Sequence, residues 1–526
     1  MKDPLDISTA PTAPMEVLVN SPLGLTREKK PSTRRKRWGG RTFRFHLASF
    51  RLGANFSVRR FSMTEAALLF SIAYMASKVL GVIRQLLFNV MFGTGPQATA
   101  YIAAFNLPDT IFSLIAGGAL TSALIPVFIS YEQREGAKET WRLVSLIFNL
   151  LLVVLTVCIL LIEYFAPQIV NHLLVPGLPP AERALTTTLT RIMLLHSLIL
   201  GLGTVITAVL DSRRQFLLPA LSIVVYDFGL IGGLLLARAI PSLGIYGPPF
   251  GLVVSGICQV DILIPALLTQ GVQYSFVWDL KHRGLRDIMS LLGPNVLAVG
   301  VGALTTILST TFASYLPDKA SIAAMQDAIL FYGVPLVFLS QALSQAFLPQ
   351  ITLQATQKHY LRMSQTIVKI VGGAVLLSLP SALCLYVLGR PAIRILFQHG
   401  AFTAHSTALT YMALSGYALA LPGTIATTLL VSCFYALKDA KTPLFVSIAT
   451  VPVYIGFLAL LVRIVTGPHA ILAIPLATAI TATIQAIMLT LLLFLRLRAK
   501  VKTDQGFQRL QMRRLRAENL KLQTNL

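Results

Sequence analysis

Long apolar stretches separated by short polar turns recur along most of the chain. The first set lies at about 66–92, 101–130, 143–165, 186–210, 217–237 and 247–270, and the second at about 287–315, 321–349, 363–388, 406–435, 443–465 and 470–495. Each stretch has at least the roughly 20 residues that a helix needs to cross the hydrocarbon core of a bilayer. The pattern therefore predicts an all-α polytopic membrane protein with about twelve transmembrane helices.

The composition agrees with this fold class. Of 526 residues, 55% are hydrophobic and 12% are charged, whereas soluble domains carry about 25% charged residues. Much of the net charge of +23 lies in the two tails, since residues 1–60 hold thirteen Lys/Arg against four Asp/Glu and residues 496–526 hold nine against two. Such tails are typical of flanks held at an anionic membrane surface. Nucleic-acid binding by the run Arg34 to Arg37 is the alternative, and we expect no nucleic-acid partner.

The basic residues of the loops predict an orientation. One side of the predicted bundle carries most of them, namely Arg134, Lys138, Arg142, Arg213, Arg214, Lys281, Arg283, Arg286, Lys358, Arg362, Lys438 and Lys441. The other side carries fewer, namely Arg183, Arg238, Lys319, Arg390, Arg394 and Arg463. Because cytoplasmic loops are enriched in Lys and Arg, we expect the first side and both termini in the cytoplasm.

An internal repeat predicts two lobes. The stretch from Ala119 to Pro126 matches the stretch from Ala342 to Pro349, and the charged turn before Pro219 matches the turn before Pro443. Chance recurrence in apolar sequence is the alternative interpretation. The sequence predicts five segments: a disordered basic cytoplasmic arm at 1–60, six-helix lobes at 61–270 and 287–496, a cytoplasmic linker at 271–286 and a basic cytoplasmic tail at 497–526. Transporters with parallel repeats bind their substrate between the repeats.

Two cations lie inside the first predicted span. Lys78 and Arg84 are six residues apart, about 120° around a helix. A cation inside the hydrocarbon core costs several kcal/mol unless it faces a wet cavity or a partner. Snorkelling to the membrane interface is the alternative. A cleft with cations and no matching carboxylate suits an anion, and diphosphate is the obvious group for Arg and Lys to bind.

Further candidates are three acids and two prolines within or near the spans. Asp227, Asp261 and Asp327 are candidate ion-coupling sites, because intramembrane acids are often functional. The alternatives are an interhelical partner for a cation such as Lys369, or a position near a helix end. Pro108 and Pro335 are candidate hinges, because a proline frees a backbone carbonyl and bends a helix.

No catalytic or metal-binding motif is present in the sequence. There is no phosphate-binding glycine loop, no HExxH and no GxSxG, and the histidines and cysteines are dispersed. We therefore expect a transporter rather than an enzyme, with no cofactor and no metal, and with coupling to an ion gradient or to the membrane potential as its energy source.

Several motifs together resemble one family. SKVLGVIR, FGTGPQATAYIAAFNLPD, GALTSALIPVF, LFQHGAFTAHST and ALKDAKTP are similar to the MurJ/MviN lipid II flippases of the MOP exporter superfamily. The resemblance implies two six-helix lobes around a cationic cavity and alternating access. It also implies an undecaprenyl-diphosphate-linked peptidoglycan precursor as substrate, the bacterial inner membrane as location, and membrane lipids and cell-wall synthesis proteins as partners.

The resemblance carries over only in part to individual residues. The family's two basic residues in the first helix fall on Lys78 and Arg84. Where the family has an acid after the first loop, this chain has Thr99, and where the family has an arginine in the second helix, this chain has Phe112 or Ser113. A further acid of the family corresponds to Gly117, and its eighth-helix arginine corresponds to about Leu330.

These departures leave three hypotheses for the function. The first is a MurJ-like flippase in which Lys78 and Arg84 bind the diphosphate and the lobes rock about Pro108 and Pro335. The second is a cation-coupled drug antiporter of the same superfamily. The third is a transport-incompetent membrane scaffold with basic tails that recruit partners.

Overall fold

The structure is a computed structural model, and it describes residues 42–44, 62–116 and 118–524. Most of the predicted basic arm at 1–60 therefore lies outside the described residues. Within the described residues, twelve helical segments are long and apolar enough to cross a membrane. This number confirms the predicted polytopic fold.

The N-terminal half begins at a capped helix and ends before a short strand. Its helices are α1 (Met63–Phe92), α2 (Pro96–Ile111), α3 (Gly118–Glu135), α4 (Ala137–Ile169), α5 (Pro180–Ser212), α6 (Leu217–Ala239), α7 (Gly247–Asp261) and α8 (Ile264–Thr269). Helices α2 and α3 form one span and α7 and α8 form another. The Ser62 hydroxyl and the Glu65 carboxylate cap α1 reciprocally, which satisfies two backbone N–H groups at its start.

The C-terminal half repeats this plan. Its helices are α9 (Arg283–Ser314), α10 (Ser321–Val337), α11 (Leu343–Thr356), α12 (Tyr360–Phe397), α13 (Ala404–Ala436), α14 (Lys441–Ile464) and α15 (Ala473–Thr524). Helices α10 and α11 form one span. Helix α15 continues past residue 496 to Thr524, so the predicted basic tail is helical where the structure describes it.

Corresponding irregularities mark the second span of each half. In α2, Pro108 is followed by the π-helical segment Phe112–Ala116; in α10, Pro335 is followed by the π-helical segment Phe338–Ala342. A proline removes one backbone hydrogen bond, and a π-helical turn accommodates the resulting shift in register. The shared irregularity supports the repeat that the sequence predicts.

Helix α13 forms the centre of the C-terminal half. It packs against α12 on one side and α15 on the other, and Leu414, Leu421 and Leu429 on it are fully buried. Helix α5 has the same role in the N-terminal half, where it packs against α2, α4 and α7. Helix α13 contains no Asp, Glu, Lys or Arg and is apolar nearly all round, as expected for an enclosed helix, whereas α5 also carries charged residues such as Arg183 and Arg191.

The segment between the halves contains a small sheet. Strand β1 (Thr42–Arg44) pairs antiparallel with β2 (Gln273–Ser275), with Phe43 opposite Tyr274. The Tyr274 hydroxyl donates to Asn149 Oδ1 on α4 at 2.7 Å, which attaches the linker to the N-terminal half. Strand β1 is the described part of the predicted arm.

Candidate functional site

Arg84 lies at membrane depth and lines a cavity that both halves border. It is about 12 Å along the axis of α1 from the last residue, Phe92, at 1.5 Å per residue. The cavity has a volume of about 130 Å³. Its lining includes Gln85, Phe88, Tyr101, Asn106 and Tyr226 from the N-terminal half and Gln326 from α10 of the other half.

Arg84 has a carboxylate partner within its own half. Its Nη1 lies 3.6 Å from Asp227 Oδ1 on α6, with the Asp227 side chain 6% exposed and the Arg84 side chain 34% exposed. The Ser77 hydroxyl, two turns earlier on α1, donates to Asp227 Oδ2. The expectation of a cationic cleft without a matching carboxylate is therefore wrong at Arg84. The pair could not be found by spacing, because Asp227 is distant in sequence.

Lys78 does not share this cavity. Its side chain is exposed on α1, and it is not among the described residues that line the space around Arg84. It lies about 21 Å along the axis from Phe92, which is still within a hydrocarbon core of about 30 Å. The structure thus separates the two predicted substrate-binding cations, and their roles stay predictions.

The other two candidate acids have unlike surroundings. Asp327 on α10 is 1% exposed, and its Oδ1 accepts from Gln85 Nε2 and Asn89 Nδ2 on α1, both at 2.9 Å. These bonds cross between the halves. Asp261 is exposed at the last residue of α7. Only Asp227 and Asp327 are therefore enclosed, and an ion-coupling role for each of the three remains a prediction.

A second cavity, of about 230 Å³, adjoins the first and shares Phe105 and Tyr226 with it. Asp109, His196 and Gln259 also line it. The Tyr226 hydroxyl lies 3.5 Å from His196 Nε2, and His196 Nδ1 is buried without a hydrogen-bond partner in the described part of the chain. None of Asp109, His196 and Gln259 is among the site residues predicted from the sequence. For Asp109, the signal was an acid inside a span, directly after Pro108.

The two predicted hinge prolines occupy equivalent places. Pro108 is buried in α2, and its carbonyl accepts a hydrogen bond of 2.8 Å from the Ser197 hydroxyl on α5. Pro335 lies in α10, one turn before the second π-helical segment. Both prolines thus lie shortly before π-helical segments, in spans that line the interface between the halves. That these segments move stays a prediction.

The halves are in backbone contact at one end of the bundle, which we call the sealed end. There the Ala401 N–H donates to the Val90 carbonyl at 2.9 Å. A Cβ added to Gly93 would lie 2.4 Å from the Ala401 oxygen, and one added to Gly400 would lie 2.3 Å from the Val90 oxygen. Both glycines have positive φ values, +57° and +59°. Glycine is therefore required at these positions for two separate reasons.

Polar contacts reinforce the sealed end. The Thr94 and Ser406 hydroxyls are 2.7 Å apart, and the Thr99 hydroxyl donates to the Lys319 carbonyl at 3.1 Å. The Gly177 N–H donates to Ser314 Oγ at 3.0 Å. At the opposite end, the start of α9 packs against the N-terminal half through Leu285 and Ile288. The sealed end is the one that the loop charges predict to face away from the cytoplasm.

Solved structures share this architecture. An inward-facing MATE multidrug resistance transporter of the MOP superfamily aligns with a TM-score of 0.70 at 14% identity, over 83% of this chain and 99% of that one. A structure of lipid II flippase MurJ in an inward closed conformation aligns with a TM-score of 0.68 at 23% identity, over 80% of this chain and 86% of that one. The twelve spans of the described residues, in two repeated halves around a cavity that contains Arg84, thus define a polytopic membrane protein with the fold of these transporters.

Sequence comparison identifies the family within this class. The family model described as lipid II flippase MurJ matches residues 88–515, so the chain belongs to the MurJ family. A probable lipid II flippase MurJ from Rhizobium meliloti is 26% identical over 378 residues, which are 71% of this chain and 70% of that protein. A lipid II flippase MurJ from Burkholderia cenocepacia is 26% identical over 381 residues, which are 71% of this chain and 73% of that protein.

Proposed function

We propose that this protein is a lipid II flippase, which moves the polyprenyl-diphosphate-linked glycan from the inner to the outer leaflet by alternating access. The observation that carries the proposal is Arg84, a guanidinium at membrane depth in a cavity bordered by both halves. The MurJ family match and the names of the relatives give the substrate class. In this role the protein is a transporter and catalyses no covalent step.

The chemistry of Arg84 suits a diphosphate. A guanidinium has five N–H donors in a planar fork and binds phosphate oxygens in pairs. Asp227 engages one side of it, and the 34% exposure of the side chain leaves donors directed into the cavity. A diphosphate would share or replace the Asp227 contact. Tyr101 and Asn106 in the same lining offer further hydrogen bonds to the head group.

The sealed end provides the barrier for alternating access. Backbone atoms of the opposite half lie against Gly93, Gly400 and Gly177, so these contacts separate only when whole segments move apart. The π-helical segments after Pro108 and Pro335 lie in the spans that would flex. Hinge motions of this kind are absorbed by a few residues while the rest of each half moves as a body.

Energy would come from the membrane potential or an ion gradient. One elementary charge that crosses the full potential contributes about 2.3 kcal/mol per 100 mV. Lys78 is a charge at membrane depth whose position would change when the halves rock. The protein would need no cofactor for this step.

The proposal places the protein in the bacterial inner membrane with both termini in the cytoplasm. With twelve spans among the described residues, both ends of this part of the chain would lie on one side, and the basic loops favour the cytoplasm for that side. The sealed end would then face outward. The substrate would come from the enzymes of peptidoglycan synthesis on one side and pass to those on the other.

Complementation tests the proposal. In a strain depleted of its own lipid II flippase, expression of this protein should restore growth, and Arg84→Ala should abolish the rescue. Arg238→Ala removes the same charge from an exposed position in the last turn of α6 and is the matched control. Normal rescue by Arg84→Ala at equal membrane abundance would contradict the proposed role. Leaflet-specific labelling of lipid II then distinguishes flipping from indirect rescue.

A cation-coupled antiporter is the second candidate function. The cavity with Asp109 favours it, because a carboxylate beside Phe105, Phe112 and Tyr226 suits an organic cation. Gradient-driven dye efflux from vesicles that contain the purified protein would support this alternative. Rescue of growth without dye efflux would support the flippase.

A further inference from the structure

A groove near the sealed end contains two arginines that the proposed transport cycle does not use. It lies between the end of α4 and the start of α5 and has a volume of about 410 Å³. Arg183, Arg191, Asn171 and Thr187 line it with polar groups. We call it the Arg183 groove. It has no lining residue in common with the Arg84 cavity.

Arg183 is placed where a cation needs an anionic partner. It lies in the first turn of α5, a helix of 33 residues whose N-terminal end carries a partial positive charge. Its side chain forms no ion pair within the described chain, and its Nε is buried there without a hydrogen-bond partner. Arg183 thus carries a charge without a counter-ion in the described chain, and an anion bound in the groove would supply one.

Arg191 is held in place and retains free donors. Its Nε lies 3.4 Å from Glu163 Oε2, and its Nη2 donates to the Glu163 carbonyl at 3.3 Å. The Arg191 side chain is still 47% exposed. Because Glu163 neutralises only one of the two arginines, the groove keeps a net positive charge. Glu182, the neighbouring acid of the first turn, is not among the lining residues.

The surroundings of the groove are suited to lipid tails. On α4, Leu160, Leu161 and Tyr164 are exposed by 62%, 54% and 74%. Leu195 on α5 is exposed in the same way. In a membrane-spanning bundle, exposed apolar side chains face acyl chains, and an exposed tyrosine near a helix end is typical of the interfacial region. Phosphate donors therefore lie next to a lipid-facing apolar surface.

We propose that the Arg183 groove binds the phosphate of an anionic glycerophospholipid from the leaflet at the sealed end. The phosphate contacts Arg183 and Arg191, Asn171 and Thr187 supply neutral hydrogen bonds, and the acyl chains lie along α4. The site is distinct from the Arg84 cavity, so its failure would leave the proposed flippase activity untouched.

Lipid-dependent thermal stabilisation tests the site. The full chain, purified in detergent, is titrated separately with phosphatidylglycerol, phosphatidylcholine, a polyprenyl diphosphate and inorganic phosphate. We expect phosphatidylglycerol to raise Tm at the lowest concentration. The double variant Arg183→Gln with Arg191→Gln should need at least tenfold more of it. Arg183→Lys keeps the charge but loses the planar guanidinium. The phosphatidylglycerol concentration that it needs should lie between those of the wild type and the double variant.

Each outcome decides for or against the site. The control variant Arg238→Gln removes an exposed charge on the same side of the bundle, and its titration should match that of the wild type. If Arg238→Gln weakens the response to phosphatidylglycerol as much as the double variant does, the attraction is nonspecific and the proposal is overturned. An unchanged response of the double variant to phosphatidylglycerol would also overturn the proposal. The same holds if only inorganic phosphate or only polyprenyl diphosphate raises Tm and phosphatidylglycerol does not. Native mass spectrometry provides a second readout: the wild type should retain more phospholipid than Arg183→Gln.

Discussion

Asp227→Asn tests how the ion pair at Arg84 tunes substrate binding. Arg84 and Asp227 are 3.6 Å apart, and two unit charges at that distance attract by about 4 to 5 kcal/mol at an effective dielectric constant of 20. Water reaches Arg84, whose side chain is 34% exposed, so hydration offsets most of this attraction. A net value of about 1–2 kcal/mol remains.

The substitution should tighten diphosphate binding. In the proposed binding mode the substrate competes with Asp227 for Arg84 in the wild type, whereas asparagine would compete only as a neutral acceptor. Relief of about 1–2 kcal/mol corresponds to a decrease of about 5- to 30-fold in Kd. Turnover should fall at the same time, because release of the diphosphate is then no longer assisted by return of Arg84 to a carboxylate.

Binding of a short-chain polyprenyl diphosphate to the purified protein measures this effect directly. Asp261→Asn is the matched control, since it makes the same change at the exposed end of α7 and should leave Kd unchanged. A weaker affinity in Asp227→Asn would show that Asp227 orients Arg84 rather than competing with the substrate. An unchanged affinity would show that Arg84 does not bind the diphosphate.

Two further variants test the contacts between the halves. Gly400→Val should open the sealed end, because the added Cβ would lie 2.3 Å from the Val90 oxygen, and maleimide labelling of a cysteine introduced at Thr94 should therefore increase. Gly467→Val is the control: Gly467 also has a positive φ, +69°, but has open space around it, so labelling should stay unchanged. Asp327→Ala should lower the free energy of unfolding by about 1–3 kcal/mol, because the buried Asn89 amide and the half-buried Gln85 amide lose their acceptor. Asp327→Asn keeps an Oδ1 acceptor and should retain most of the stability in thermal unfolding; equal loss in both variants would contradict the hydrogen-bond explanation.

The spans could be predicted because the bilayer permits few alternatives. A chain in hydrocarbon must satisfy its backbone polar groups internally, so every long apolar run becomes a helix. The runs at 66–92 and 406–435 correspond closely to α1 and α13. The repeat could be recognised in the sequence because Pro126 and Pro349 lie within equivalent helices, α3 and α11.

The partners of the polar residues could not be predicted. Arg84 pairs with Asp227 across two helices, and Asp327 accepts from Gln85 and Asn89 across the halves. Neither hydropathy nor local spacing encodes which faces of distant helices meet. The sequence placed Lys78 and Arg84 in one site, yet a six-residue separation turns them about 120° apart. That rotation was enough for the fold to enclose one cation and expose the other.

The location of the charge pairs bears on how the halves can move. Arg84 and Asp227 belong to the same half, as do Arg213 with Glu132 and Arg496 with Asp439. The contacts that cross between the halves include neutral donors, such as the Gln85 and Asn89 amides, and backbone groups at the sealed end. Rocking the halves apart therefore does not separate these opposite charges in a low-dielectric interior, which would cost several kcal/mol per ion. It breaks hydrogen bonds worth about 1 kcal/mol each. This arrangement lets Arg84 keep its neutralising partner in either state of an empty transporter and exchange it only for an anionic substrate.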